Sequence, residues 1–222
     1  MTDNQSTINE DNIRQLWRVR WHDYLPSAVL VTLMVFVWLA HPRPGELSSW
    51  GVSAQALASG RYETIALHMF AHGSFFHLLM NSLSLLEIGG LVIARLGSFA
   101  QGWGRAMLAY GLAGLSSMIF YLSFHPRSSL PMIGASGAVY GLVGLLLGMR
   151  LLEEIELVEF KALPGALVEF ARNNRLFLAL LLIGGALAGI GSQVAWEAHL
   201  GGFLFGLCVG PWLLPPRQVK SG

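Results

Sequence analysis

Six stretches of this sequence, near residues 25–41, 75–94, 104–124, 134–151, 176–192 and 196–214, are apolar over about the length a helix needs to cross a bilayer. About 30 Å of hydrocarbon takes roughly 20 residues of α-helix, with about 17 to 25 acceptable. Hydrocarbon offers the backbone no hydrogen-bond partner, so a spanning segment must satisfy its own N–H and C=O groups, and only helices and closed barrels do that. The composition agrees: 54% of the 222 residues are hydrophobic and 12% are charged, against about 25% charged in an ordinary soluble domain. The reading is an all-α membrane protein, a bundle of six transmembrane helices over residues 25–214. A polar N-terminal segment, 1–24, precedes it and a short tail, 215–222, follows.

The first segment carries Asp3, Glu10, Asp11 and Arg14 and no apolar core, so neither a cleaved signal nor a transit peptide is expected there. Residues 42–74 mix Pro42, Pro44, Gly45 and Gly60 with apolar patches, which suggests a loop that partly re-enters or lies on the membrane. Residues 152–175 alternate Glu153, Glu154, Glu156 and Glu159 with Ile155, Leu157, Val158 and Phe160, a pattern that suits an interfacial amphipathic segment. With the N-terminus inside, only Arg43, Arg61 and Arg127 of the 14 Lys and Arg residues fall outside. That split satisfies the positive-inside rule and puts both termini in the cytoplasm. A net charge of +1 gives no reason to expect nucleic acid as a partner. The single cysteine, Cys208, cannot form an internal disulfide and reads as a small packing residue.

Three clusters of polar residues interrupt this apolar background. Residues 134–137 read Gly-Ala-Ser-Gly at the outer end of the fourth span, where Gly134 and Gly137 leave room beside Ser136 for another backbone or a substrate. Glycine and serine also serve ordinary helix packing in membranes, so this motif alone is ambiguous. In the sixth span His199 is followed by Gly202, Gly206 and Gly210 at four-residue intervals. These form one smooth face that matches Gly137, Gly141, Gly144 and Gly148 of the fourth span, and pressing the two faces together brings His199 toward Ser136. An ionisable residue in a span is by default a functional candidate, and imidazole is the usual base for a weakly nucleophilic hydroxyl.

The second span carries His77 and Asn81 four residues apart on one face. Both can donate toward a developing oxyanion, together with the Ser136 amide, or they can simply tie helices together. Tyr140, one turn after Ser136, can stack on His199 or serve as an interfacial aromatic. Glu197 is two residues from His199 and on a different face, so a dyad is expected in place of a triad. Glu87, inside the second span, either faces the bundle and bonds to a neighbour or marks a proton or water path, the structural role being the one expected. His68 and His72 have the one-turn spacing of zinc ligands but lack the glutamate of the HExxH motif, and neither a metal nor another cofactor is expected.

These motifs, in this order, resemble the rhomboid family of intramembrane serine proteases over about Gly60 to Gly210. The resemblance rests on HGSFFHLLMN in the second span, Arg95-Leu96-Gly97 after it, Tyr110 and Gly114 in the third, GASGAVYGLVG in the fourth and AHLGGFLFG in the sixth. Where that family often has a Trp-Arg pair in the first loop, this chain reads Gly60-Arg61-Tyr62. The resemblance implies a six-helix fold in the lipid bilayer, Ser136 as nucleophile and His199 as base. It also implies an oxyanion site of His77, Asn81 and the Ser136 amide, with Tyr140 supporting His199. Transmembrane protein substrates and a bacterial inner membrane are the expected partner and location.

Overall fold

The computed structural model describes residues 19–41, 43, 45–97, 99–157, 172 and 195–213. A 3-10 turn, Trp21–Tyr24, leads into α1 (Leu25–Ala40). The first loop folds a second such turn, Glu46–Trp50, and two short helices, α2 (Ala54–Ala58) and α3 (Thr64–Leu67). Four longer helices follow: α4 (Phe75–Leu96), α5 (Phe99–Phe124), α6 (Ser136–Leu157) and α7 (Trp196–Leu213). Among the described residues the only β-type pairing is an isolated bridge between Val52 and Met132. Trp21–Ala40, Phe75–Leu96 and Gln101–Phe124 are long and apolar enough to cross a membrane, and Ser136–Met149 is a shorter apolar helix. The fifth span expected at 176–192, the terminal segments 1–18 and 214–222, and most of 152–175 lie outside the described residues.

Local chemistry sets where the helices begin. Pro26 stands in the first turn of α1, where its missing N–H removes a donor that has no helical partner in any case. Ser53 and Ser74 cap α2 and α4, their hydroxyl oxygens accepting from Ala56 N and His77 N, each at 3.1 Å. α6 starts at Ser136, two residues later than the expected span, because Gly134 has φ +113 and cannot be part of a right-handed helix. At its other end α6 continues past 151 to Leu157, so the first glutamates of the expected amphipathic segment extend the helix.

The side chains are sorted for an apolar surround. Phe36, Leu39, Leu83, Leu108 and Ile119 are each more than half exposed, while Asp23, Ser53, Asn81, Ser117 and Glu197 are buried. A water-facing surface would reverse that order. Within the bundle α6 packs against α4, α5 and α7, α7 lies against α5 and α6, and α1 covers α4. Leu85, Ile88 and Val92 of α4 meet Leu142, Leu145 and Met149 of α6 in the main core. The contact between α6 and α7 is backbone on backbone. A Cβ added at Gly202 would collide with the Gly137 carbonyl oxygen, one at Gly206 with that of Gly141, and one at Gly144 with that of Phe203. Gly141 lies on the same seam, where an added Cβ would be 3.1 Å from the Gly202 carbonyl oxygen.

Candidate active site

The loop between α5 and α6 is tied to the first loop before it delivers Ser136. Val52 and Met132 exchange both backbone hydrogen bonds, at 3.0 and 2.8 Å, and Gln55 N donates to the Ser128 carbonyl at 3.3 Å. Two residues before the serine, Gly134 N donates to the His68 carbonyl at 2.8 Å. A glycine is required at 134 on two counts: its φ lies in the left-handed region, and an added Cβ would be 2.6 Å from His77 Nε2. The chain is thereby turned so that Ser136 is the first residue of α6. The leading N–H groups of a helix have no intrahelical acceptor, so they present donors and the positive end of the helix dipole on the serine side.

Across from it, His199 sits in the first turn of α7, with Nε2 2.7 Å from Ser136 Oγ. Tyr140 stacks on the imidazole, the ring centroids 4.3 Å apart and the planes within 3° of parallel. Gly137 lets this happen, since an added Cβ there would collide with Ser117 Oγ and come within 3.4 Å of the Ala198 carbonyl oxygen. Ser136, His199 and Tyr140 are therefore assembled by one helix seam, and Gly137, Gly202 and Gly206 all lie on it.

His77 and Asn81 approach from α4. The His77 ring covers Gly134, and Asn81 Nδ2 lies 3.8 Å from the position a Gly134 Cβ would take. Asn81 is buried and gives one amide hydrogen to the His77 carbonyl at 3.0 Å, which leaves the other for the site. His72 meets His77 edge to face, with ring centroids 5.0 Å apart. His72 and His68 each turn Nδ1 to a backbone oxygen, of Phe70 at 3.2 Å and Thr64 at 3.1 Å. Burial holds both imidazoles below the ordinary histidine range, His72 down to about 3 with a further push from His77, so both are neutral supports at neutral pH. Among the described residues no group of three or more His, Cys, Asp or Glu side chains is arranged to hold a metal ion.

Two glutamates differ in their surroundings. Glu197 turns away from His199 and accepts from His125 Nε2 at 3.2 Å. Glu87 does not face the bundle: it is exposed, one turn beyond Leu83 on the outward stripe of α4, whereas Leu85, Ile88 and Gly89 face inward. Sequence spacing gave no sign of the His125 contact or of the bond from Ser116 Oγ to the Gly201 carbonyl at 3.0 Å, since the partners are 72 and 85 residues apart.

Comparison with known proteins adds an independent observation. The family described as Rhomboid domain matches residues 59–216, a stretch that holds Gly134, Ser136, His199, His77 and Asn81. The chain is 28% identical over 154 residues to the putative rhomboid protease YdcA of Bacillus subtilis, covering 69% of this chain and 66% of that protein. It is 30% identical over 146 residues to RHOMBOID-like protein 5 of Arabidopsis thaliana, covering 66% and 42%. It is 26% identical over 202 residues to rhomboid protease GlpG of Serratia proteamaculans, covering 85% and 58%. The chain thus spans less than two thirds of the length of each of these relatives.

Proposed function

The chain belongs to the rhomboid family and is an integral membrane protein, and from that premise we propose that it is an intramembrane serine endopeptidase that cleaves membrane-anchored proteins in or near their transmembrane segments. The observation that carries the proposal is the 2.7 Å approach of Ser136 Oγ to His199 Nε2. Neutral His199 accepts the hydroxyl proton as Oγ bonds to the carbonyl carbon of the substrate. The carbonyl oxygen becomes an oxyanion, met by the Ser136 amide at the head of α6 and by His77 and Asn81 from α4. His199 then returns its proton to the departing amine nitrogen as the peptide bond breaks, leaving an ester on Ser136. Water, deprotonated by the same imidazole, hydrolyses that ester and regenerates the serine. Tyr140 keeps the imidazole plane fixed through both steps.

The site opens toward the outer face in a bundle of six helices, with both termini cytoplasmic in a bacterial inner membrane. The substrate helix has to unwind locally, because a bond inside an intact helix is shielded by its own backbone. Labelling of the purified chain with a serine-directed fluorophosphonate tests the proposal. Wild type should be labelled and Ser136→Ala should not. A wild-type chain that neither reacts nor cleaves any of a panel of membrane substrates would point to a relative that only binds membrane clients.

A further inference from the structure

His199 lies three residues from the start of α7, so its height relative to Ser136 depends on how the first turn of that helix is held. Stacking on Tyr140 restrains the tilt of the imidazole but not its sliding parallel to the two ring planes. The glycine seam grips α7 most tightly at Gly202 and Gly206, beyond the histidine, and touches the turn before it only where Gly137 faces the Ala198 carbonyl. Phe124 of α5 meets Trp196 edge to face, and two hydrogen bonds from α5 bracket the histidine. Two residues after His199, the Gly201 carbonyl accepts from Ser116 Oγ at 3.0 Å. Two residues before it, Glu197 Oε1 accepts from His125 Nε2 at 3.2 Å.

The second contact is built with care at both ends. The Glu197 side chain is 9% exposed and that of His125 is 34% exposed. A carboxylate buried to this degree is unfavourable unless it is paired, and in the first turn of α7 it also gains from the positive end of the helix dipole. His125 is held in turn by the Tyr121 ring, 4.6 Å away and tilted by 35°, while the Tyr121 hydroxyl donates to the Leu130 carbonyl at 3.0 Å. The end of α5, the loop that leads to Ser136 and the first turn of α7 are joined through these groups. Residues two apart on a helix point to different faces, so Glu197 does not reach the reacting atoms and can act only through the α7 backbone.

We infer that the hydrogen bond between His125 and Glu197 is a positioning pair that anchors the first turn of α7 and so holds His199 Nε2 in register with Ser136 Oγ. The inference rests on the reading of Ser136 and His199 as nucleophile and base. It requires that loss of the pair lower the chemical step and leave substrate binding intact.

The test uses the full chain in lipid vesicles, a fluorogenic transmembrane peptide and the fluorophosphonate label. Glu197→Ala and His125→Ala should each lower kcat and the labelling rate of Ser136 by about 10-fold to 100-fold, the scale expected when a catalytic group is displaced by about 1 Å. KM should stay within about twofold, and the double variant should be no worse than either single one, as for groups that act as a unit. Glu197→Gln should recover most of the rate, because its amide oxygen accepts the same hydrogen bond. If Glu197→Ala fails to fold, His125→Ala carries the test from the more exposed side of the pair. Wild-type kcat and labelling in both alanine variants, or a change confined to KM, would overturn the inference while leaving the dyad intact. A wild type that does not label at all would instead remove the dyad, and this inference with it.

Discussion

Gly134 shows how one residue determines what the site can be. Its positive φ ends the loop and lets α6 begin at Ser136, and its missing side chain makes room for the His77 ring. Gly134→Ala therefore meets strain and collision together, and it should lower cleavage by at least about 10-fold, given that displacement by about 1 Å is worth up to about 100-fold. Turnover of a transmembrane peptide checks it; a variant as active as wild type would show that the loop yields without disturbing the serine. Ser136→Ala and His199→Ala should each nearly abolish cleavage, and combining them should add little, because a nucleophile and its base act as one unit. His72 gives a prediction about stability. Its pKa is lowered to about 3 in the fold, against about 6.5 in an unfolded chain. The neutral form is thus favoured by folding: its contribution is complete above about pH 6.5 and is lost as the pH falls toward about 3, by at most about 1.4 kcal/mol per pH unit. Thermal unfolding followed from pH 7 to pH 4 should show a falling midpoint, with a shallower fall in His72→Gln. At this scale the polar motifs were legible because serine, histidine and asparagine stand out in apolar helices. The Gly134 to His68 bond was not legible, since a backbone donor meeting a distant carbonyl leaves no mark on side-chain chemistry.

Helices carry these residues to one another, and the seam between α6 and α7 is the element that does most of it. The four-residue glycine spacing was readable in advance because a helix returns to the same face about every four residues. Its depth was not: only the structure shows carbonyl oxygens of one helix occupying the space a Cβ would need on the other. Gly202→Leu should push the helices apart, with a stability loss of about 1–3 kcal/mol of the kind seen for overpacking. It should also lower cleavage, since Ser136 and His199 are on opposite sides of that seam. Gly111→Ala on α5 is the control, because nothing lies within 4 Å of the added Cβ. It should unfold no earlier than wild type, alanine being the better helix former by about 1 kcal/mol. Equal melting points and equal turnover for Gly202→Leu and wild type would show that the seam tolerates separation. The role of α5 was invisible in the sequence, where it reads as one more apolar span. Its contacts through Ser116, Tyr121 and His125 are ordinary polar residues near an interface until their partners are known.

Among the described residues, large apolar side chains such as Phe36, Leu39 and Ile119 face outward around the apolar core while Asp23, Asn81 and Glu197 are buried, which is the arrangement a bilayer selects. Among the described residues three helices long and apolar enough to cross a membrane were legible from length and hydropathy, and each described long helix begins and ends within a few residues of an apolar stretch, apart from the extra turns of α5 and α6. The first loop was less so: residues 45–74 fold into turns and short helices whose register is set by Val52 and Met132, a pairing no local pattern encodes. Sidedness is a property of the entire chain, and it follows from charge. Lys and Arg are retained on the cytoplasmic side, and with six spans and the N-terminus inside all but Arg43, Arg61 and Arg127 of the 14 would fall there. The loop between α5 and α6 carries Arg127 and leads directly to Ser136, so an orientation with both termini inside would place this loop outside and point the serine outward. Cys208 is the single cysteine, which makes the experiment clean once it is replaced by serine. In that background Arg127→Cys should react with a membrane-impermeant maleimide on intact cells, and Lys220→Cys should react only after the membrane is opened. The reverse pattern would turn the chain over, and with it the prediction that the peptide bond is cut near the outer face.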